Sequence, residues 1–318
     1  MAVERAAVVL SRDGERAGRG AIGLRAAARL WGMRLGAALV PRLPERLVDA
    51  AADVVGLAAY GLAAPARRAV ADNLSATLDR HDPDLVALRA REAFRTQARN
   101  YADLFRLTGW TLDELSRRIE VVGEEHLRSA LARGKGAVLA ALHLGNLDVV
   151  MQAASQRGYR LVVPVEPLEP PELLELVAGM RAAHGVRVVP IGPGIAGRLL
   201  AALREGAIVP LAVDRDVQGS GVETPFLGRT ARLSHAAVAL ALRSGAPLLP
   251  TRSERLGDGR FRVVLGAPLE PAGRPGTRAA AELILARLLD ALAEYARETP
   301  GQWVMFQRLF TEERRSNG

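Results

Sequence analysis

The sequence predicts an α/β protein with a mostly parallel but mixed sheet flanked by helices, preceded by an N-terminal helical annex. Three observations carry that expectation. From residue 119 onward, short apolar runs alternate with amphipathic helical segments, which implies a sheet covered on both faces. From residue 21 to 118 the pattern is predominantly helical. Near the C-terminal end two extended runs flank Gly257-Asp258-Gly259, a hairpin signal that makes the sheet mixed. At 318 residues and 49% hydrophobic content there is ample material for a buried core. The chain divides into a frayed start at 1–20, the annex at 21–118 and the core at 119–318.

Residues 1–20 are rich in Arg, Glu and Gly and lack the apolar centre of a signal peptide. Over 22–41, Leu30, Trp31, Met33, Leu35 and Leu39 are interspersed with Arg25, Arg29 and Arg34. That is the pattern of a basic helix lying along a membrane surface, and packing against the core is a compatible reading. Pro44 and Glu45 open a second helix, in which 54–66 carries no charge. The run is shorter than the about 20 apolar residues that cross a hydrocarbon core. A peripheral protein on the cytoplasmic face of the plasma membrane is therefore expected. Helices follow at 67–79 and 83–107, Thr108-Gly109-Trp110 breaks the pattern, and Thr111-Leu-Asp-Glu114 caps a short helix ending at 118.

In the core, strands are expected at 119–122, 137–142, 159–165, 186–191, 207–213, 247–254 and 261–265. Helices are expected at 123–133, 147–157, 171–184, 195–204, 234–244 and 277–298. The run 137–142 is wholly apolar, as suits a strand buried on both faces, and it ends at His143. Gly145 and Asn146 supply turn and N-cap chemistry for the next helix, and Asn146 is also a candidate for substrate binding. His143 thus stands at the sheet edge where ligands of open α/β sheets bind. An imidazole that accepts a proton needs a partner on its other nitrogen. Asp148, in the first turn of the following helix, is one candidate, although an acid there is also favoured simply by the helix dipole.

The spacing His143-x4-Asp148 resembles the signature of the glycerolipid acyltransferase superfamily. Further segments are similar to the branch holding lipid A lauroyl/myristoyl acyltransferases and, more closely, actinobacterial phosphatidylinositol mannoside acyltransferases. They are His143-Leu-Gly-Asn146-Leu-Asp148, Val165-Glu166-Pro-Leu-Glu-Pro170, Met180-Arg181 through Pro190, Val213-Asp214-Arg215-Asp216 with Gly221-Val222, Pro225-Phe226-Leu227-Gly228, and Pro300-Gly-Gln-Trp303. The resemblance covers 67–310 and implies a glycerolipid acyltransferase-like fold. It implies transfer of a fatty acyl chain from acyl-CoA or acyl carrier protein to a glycolipid or phospholipid hydroxyl, with His143 as general base and no cofactor. A phosphatidylinositol mannoside is the expected acceptor; a lipid A-type acceptor, or a noncatalytic lipid-binding protein of the same fold, is the alternative.

Other site residues follow from the same edge. Asp214, Arg215 and Asp216 leave the apolar run 207–213, and three charges at one strand end are costly unless paired or functional. If the two strands are neighbours, Asp214 reaches His143; otherwise Arg215 is merely an ion pair between two acids. The mannoside acyltransferases carry a Glu in place of Asp214 as partner of the histidine, whereas an Asp is usual in the lipid A branch. Glu166 is placed to bind acceptor sugar hydroxyls, though Pro167 stands where the family commonly has Arg. Arg181 resembles an arginine near the acceptor phosphate, and Arg215 or backbone amides would face the oxyanion. Arg229 and Arg232, ahead of the helix at 234, are candidates for the donor phosphates.

The formal charge of +8 implies anionic partners. With 4% aromatic residues and no legible nucleic-acid module, an anionic lipid surface and a phosphorylated donor fit better than nucleic acid. Cysteine is absent, and His81, His126, His143, His184 and His235 show no ligand spacing, so no metal is expected. No G-x-S-x-G elbow supplies a serine nucleophile, and neither glycine-rich phosphate-loop motif supports a nucleotide-binding protein.

Overall fold

In the computed structural model of the protein the described residues are 23–78, 82–270 and 278–311; the expected frayed start, His81 and Thr277 lie outside them. Four helices form the annex: α1 (Leu24–Leu39), α2 (Glu45–Leu62), α3 (Ala64–Ser75) and α4 (Pro83–Leu107). Then come α5 (Leu112–Arg118), β1 (Ile119–Val122), α6 (Glu124–Leu131), β2 (Ala137–Ala141), α7 (Leu147–Gln156), β3 (Val162–Val165), α8 (Pro171–Ala182), β4 (Arg187–Pro190), α9 (Ile195–Arg204) and β5 (Ile208–Ala212). The chain continues through β6 (Val222–Phe226), β7 (Arg229–Leu233), α10 (Ala236–Ser244), β8 (Leu248–Arg255), β9 (Phe261–Leu265) and α11 (Arg278–Glu298). Thr111 and Glu114 form the expected capping box on α5.

The main sheet runs β1-β9-β8-β2-β5, antiparallel only between β8 and β9. The mixed α/β architecture is therefore as the alternation implied. β3 and β4 pair with each other, and β3 joins β5 through a single parallel bridge, Leu161 to Ile208. Beyond that bridge the ladder stops. Right-handed crossovers place α7 and α8 on one face, because β2-α7-β3 steps past β5, and α9 on the other, because β4-α9-β5 steps back. The two main cores agree. Leu199, Leu203, Val238 and Leu240 pack on one face with Val138, Ala140 and Val209. Val149, Ala153, Leu173 and Val177 pack on the other with Ala137, Ile208 and Leu249.

Two features depart from the expected elements. The segment 222–233 folds as a β6–β7 hairpin, turning at Leu227 (φ 52°) and Gly228 (φ 75°), the paired positive φ of a type I′ turn. The sequence itself points to a turn at Pro225-Phe226-Leu227-Gly228, and Gly228 suits it; the two strands that the turn joins are the unexpected part. The charge-free run at 54–66 is split at Ala63, where α2 and α3 meet at 97°. No single described helix is long and apolar enough to cross a membrane, although this bent pair has the combined length and composition.

α1 both packs and protrudes. Leu30 is buried in the α7/α8-side core with Met33 and Ala37 beside it, while Trp31, Leu35 and Leu39 are exposed. α2 adds exposed Leu47, Val54, Val55 and Leu62. On α3, buried Asn73 donates to the carbonyls of Met305 and Gln307 and accepts from Leu309 N–H, which ties the C-terminal segment to the annex.

Candidate active site

The register of β2 and β5 assembles the site. Ala141 lies opposite Ala212, and Val213 N–H continues the ladder to the Ala141 carbonyl at 2.9 Å, so the next residues out, His143 and Asp214, leave the sheet side by side. Asp214 Oδ1 stands 2.8 Å from His143 Nδ1, and Oδ2 accepts the His143 backbone N–H at 2.9 Å. Oδ2 also accepts the indole Nε1–H of Trp303 at 2.9 Å. An ionised carboxylate only accepts, so Nδ1 carries the proton and Nε2 is left as the basic nitrogen. The His143 side chain is 34% exposed and lines the main cavity, whereas Asp214 is fully buried.

The loop after β2 is held from behind. Val304 N–H donates to the His143 carbonyl and Gly145 N–H to the Gln302 carbonyl, with Leu144 bridged to Trp303. Gly145 sits at φ 67°, and a Cβ there would lie 2.2 Å from the Ser253 carbonyl oxygen, so only glycine fits. Trp303 is 1% exposed. Sequence reading assigned it no role beyond the resemblance; a buried tryptophan after Pro300-Gly301 was the available signal.

Partial burial pulls the His143 pKa down, but the Asp214 charge and hydrogen bond outweigh it and also the opposing charges of Arg215 and Arg181, so it lies above the ordinary histidine value. Burial pushes the Asp214 carboxyl up; the imidazole and the Trp303 and backbone donors outweigh that, holding it below the usual carboxylate range.

Asp148 does not share this task. It receives Arg181 in a bidentate pair, Nε to Oδ1 at 2.6 Å and Nη2 to Oδ2 at 3.1 Å, and has no hydrogen bond to His143. The first turn of α7 brings it against Arg181 of α8, and it lines the same cavity as His143. Asn146 caps α7 as expected, accepting from Val149 N–H at 3.2 Å, but its amide donates to Asp103 and so is spent on structure. Asp103 is 1% exposed and also meets Arg255 and Arg106; burial pushes its carboxyl up against the pull of those cations. Arg106 continues to Asp49 and the Glu45 carbonyl on α2. This buried network escaped sequence reading. Its trace is Asp103 and Arg106 set one turn apart within an otherwise apolar stretch of α4.

A cavity of about 540 Å³ opens at His143. On the α7/α8 face it is walled by Leu139, Met151, Val163, Leu174 and Val177, and at its mouth stand Asp148, Glu166, Arg181 and Arg215. Arg215 pairs with Glu166 at 2.6 Å. The three charges after β5 therefore diverge, since Asp214 takes His143, Arg215 takes Glu166, and Asp216 takes Arg232 at 3.2 Å. The donor-phosphate candidates Arg229 and Arg232 lie apart from this cavity. Arg229 lies on Asp72 and over the Phe310 ring, Arg232 on Asp216 and the Gly219 carbonyl, and neither lines the cavity, because the hairpin turns them away. Among the described residues no group of three or more His, Asp or Glu comes together as metal ligands.

An unsplit acid–base pair beside an apolar cavity suits proton removal from a hydroxyl. Comparison with known proteins gives the class of reaction. The profile described as bacterial lipid A biosynthesis acyltransferase matches residues 24–312. A phosphatidylinositol mannoside acyltransferase of Mycobacterium tuberculosis is 31% identical over 230 residues, 71% of this chain and 70% of that protein. The phosphatidylinositol mannoside acyltransferase of Mycolicibacterium smegmatis is 30% identical over 190 residues, 59% and 62% of the two chains. The chain belongs to the bacterial lipid A biosynthesis acyltransferase family, and it is an enzyme that transfers acyl groups.

Proposed function

We propose that the protein is a peripheral membrane O-acyltransferase that moves a fatty acyl chain from a thioester, acyl-CoA or acyl carrier protein, to a hydroxyl of a phosphatidylinositol mannoside. The observation that carries this reading is the His143–Asp214 pair, with Nε2 of the ring facing a cavity walled by aliphatic side chains. The mannoside names of the relatives support the acceptor. His143 Nε2 takes the hydroxyl proton as the oxygen attacks the thioester carbonyl, and Asp214 stabilises the imidazolium. Arg215 and Arg181 lie near enough for their charge to act on the imidazole, and the same field favours the oxyanion. Collapse breaks the C–S bond, and the imidazolium returns its proton to the leaving thiolate. The acyl chain occupies the α7/α8 side of the cavity, and the headgroup meets Glu166, Arg215, Arg181 and Asp148 at the mouth.

The exposed apolar residues of α1 and α2, together with the positive net charge, support docking on an anionic bilayer at the cytoplasmic face of the plasma membrane. The test is His143→Ala, assayed with acyl-CoA and purified phosphatidylinositol mannoside, the product followed by mass spectrometry. Turnover should fall by roughly two to four orders of magnitude with the fold retained. Near-normal turnover would remove His143 as the base, and acylation of a lipid A precursor instead would replace the acceptor.

A further inference from the structure

The cavity does not end at the sheet. β3 and β5 share only the Leu161–Ile208 bridge, and beyond it consecutive residues of β5, Pro210, Leu211 and Ala212, all line the cavity, as do Val163, Pro164 and Val165 of β3. Neighbouring residues of a strand point to opposite faces, so the cavity passes between the parted strand ends and emerges on the α9/α10 side. There it becomes a slot floored by Leu211 and walled by Leu199 of α9 and by Ala236, Ala239, Leu240 and Arg243 of α10. The α10 residues recur at helical spacing on one face, so from Ala236 to Arg243 the slot runs about 10 Å.

Three arginines line the cavity, and they differ in one respect. Arg181 is neutralised by Asp148 and Arg215 by Glu166. Arg243, exposed at the outer end of the slot, has no ion-pair or hydrogen-bond partner among the described residues. An exposed, unpaired guanidinium at the end of the slot is suited to bidentate capture of a phosphate. The slot is also more polar than the aliphatic side of the cavity, since Gln218, Ser220 and Ser234 line its entrance. An aliphatic tail would leave those groups unused, whereas a chain containing amides would pair with them.

We propose that the slot between α9 and α10 receives the phosphopantetheine arm of the acyl donor and that Arg243 binds its phosphate. The proposal rests on the thioester reading above and adds to it a donor site on the face opposite the acyl chain. Because coenzyme A and acyl carrier protein share this arm, the site serves either.

Binding of 4′-phosphopantetheine and of pantetheine to the full chain, measured by titration calorimetry, tests the assignment apart from catalysis. The wild-type protein should bind the phosphorylated compound roughly tenfold more tightly, and Arg243→Ala should abolish that difference while leaving pantetheine affinity unchanged. Ala239→Trp, which fills the slot, should weaken both. Equal affinities in the wild type, a difference that survives in Arg243→Ala, or unchanged binding in Ala239→Trp overturns the proposal. A protein that shows the phosphate preference but transfers no acyl group from any thioester keeps the slot and loses the catalytic reading.

Discussion

Replacing Asp214 with Asn changes the charge and the proton map of the site, with almost no change in volume. The carboxylate serves the His143 Nδ1–H at one oxygen and the His143 N–H and Trp303 Nε1–H at the other. Asparagine has one acceptor and one donor end. If its oxygen faces the ring, its NH2 confronts the indole and backbone donors, leaving two buried N–H groups unpaired at about 1–3 kcal/mol each. The opposite flip satisfies both donors but turns the NH2 toward Nδ1. The ring must then accept there and carry its proton on Nε2, where it cannot act as a base. We expect this flip to win and turnover to fall by about four orders of magnitude, roughly 5.4 kcal/mol of barrier, as when a triad aspartate is amidated. The residual activity carries a second signature. Asp214 holds the imidazole pKa above its ordinary position near 6.5, so the base is lost by protonation at a higher pH than usual, and the acidic limb of the wild-type profile lies there. Without the carboxylate the limb moves to lower pH. Measurement of kcat/KM from pH 5 to 9 for both proteins decides the matter. A variant with wild-type turnover, or one whose acidic limb has not moved, would refute the pairing as the source of basicity.

Asp148→Asn should leave the acidic limb in place, because Asp148 contacts Arg181 and not the imidazole; its cost, about tenfold or more, should appear mainly in KM for the acceptor as Arg181 loses its bidentate partner. A shifted limb would restore Asp148 as a partner of His143. In flotation assays the protein should bind anionic vesicles more than neutral ones, with binding weakened by salt. Paired Trp31→Glu and Leu35→Glu substitutions should lower it by about tenfold or more, given their exposure and about 1.5–3 kcal/mol for each large side chain buried. Equal binding to both vesicle types, or indifference to the substitutions, would take α1 out of membrane docking. Substitution is a cleaner test than deletion because Leu30 of the same helix is part of the core.

The alternation of apolar runs and helices was enough to read the sheet, and the placement of His143 and Asp214 at matching strand ends followed from it. Both rest on local pattern plus one assumption of adjacency, which the β2–β5 register satisfies. Which acid faces the imidazole was not legible from spacing alone. Asp148 is near His143 in sequence, but the rotation of α7 sets its direction, and Asn146 at the start of that helix is held by Asp103 from α4. The fates of Arg229 and Arg232 depended on a turn through Leu227 at positive φ, a conformation its side chain gives no reason to expect. Trp303 and Asn73 act across separations that no motif in the chain reveals, each meeting its partner only once the C-terminal segment is laid against the core.

The parting of β3 from β5 has a bearing on how the enzyme empties. In the proposed pose the donor threads the sheet, thiol arm on one face and acyl chain on the other, so neither product can step out sideways. The free thiol withdraws along α10, and the acylated lipid leaves by the mouth with its new tail drawn after it. Each methylene pulled from an apolar wall into water costs about 0.8 kcal/mol, close to a factor of four in rate, while a methylene passing into hydrocarbon costs almost nothing. In that pose a bilayer at the mouth would be the sink that lets the tail go, and release, more than capture, would tie turnover to the membrane.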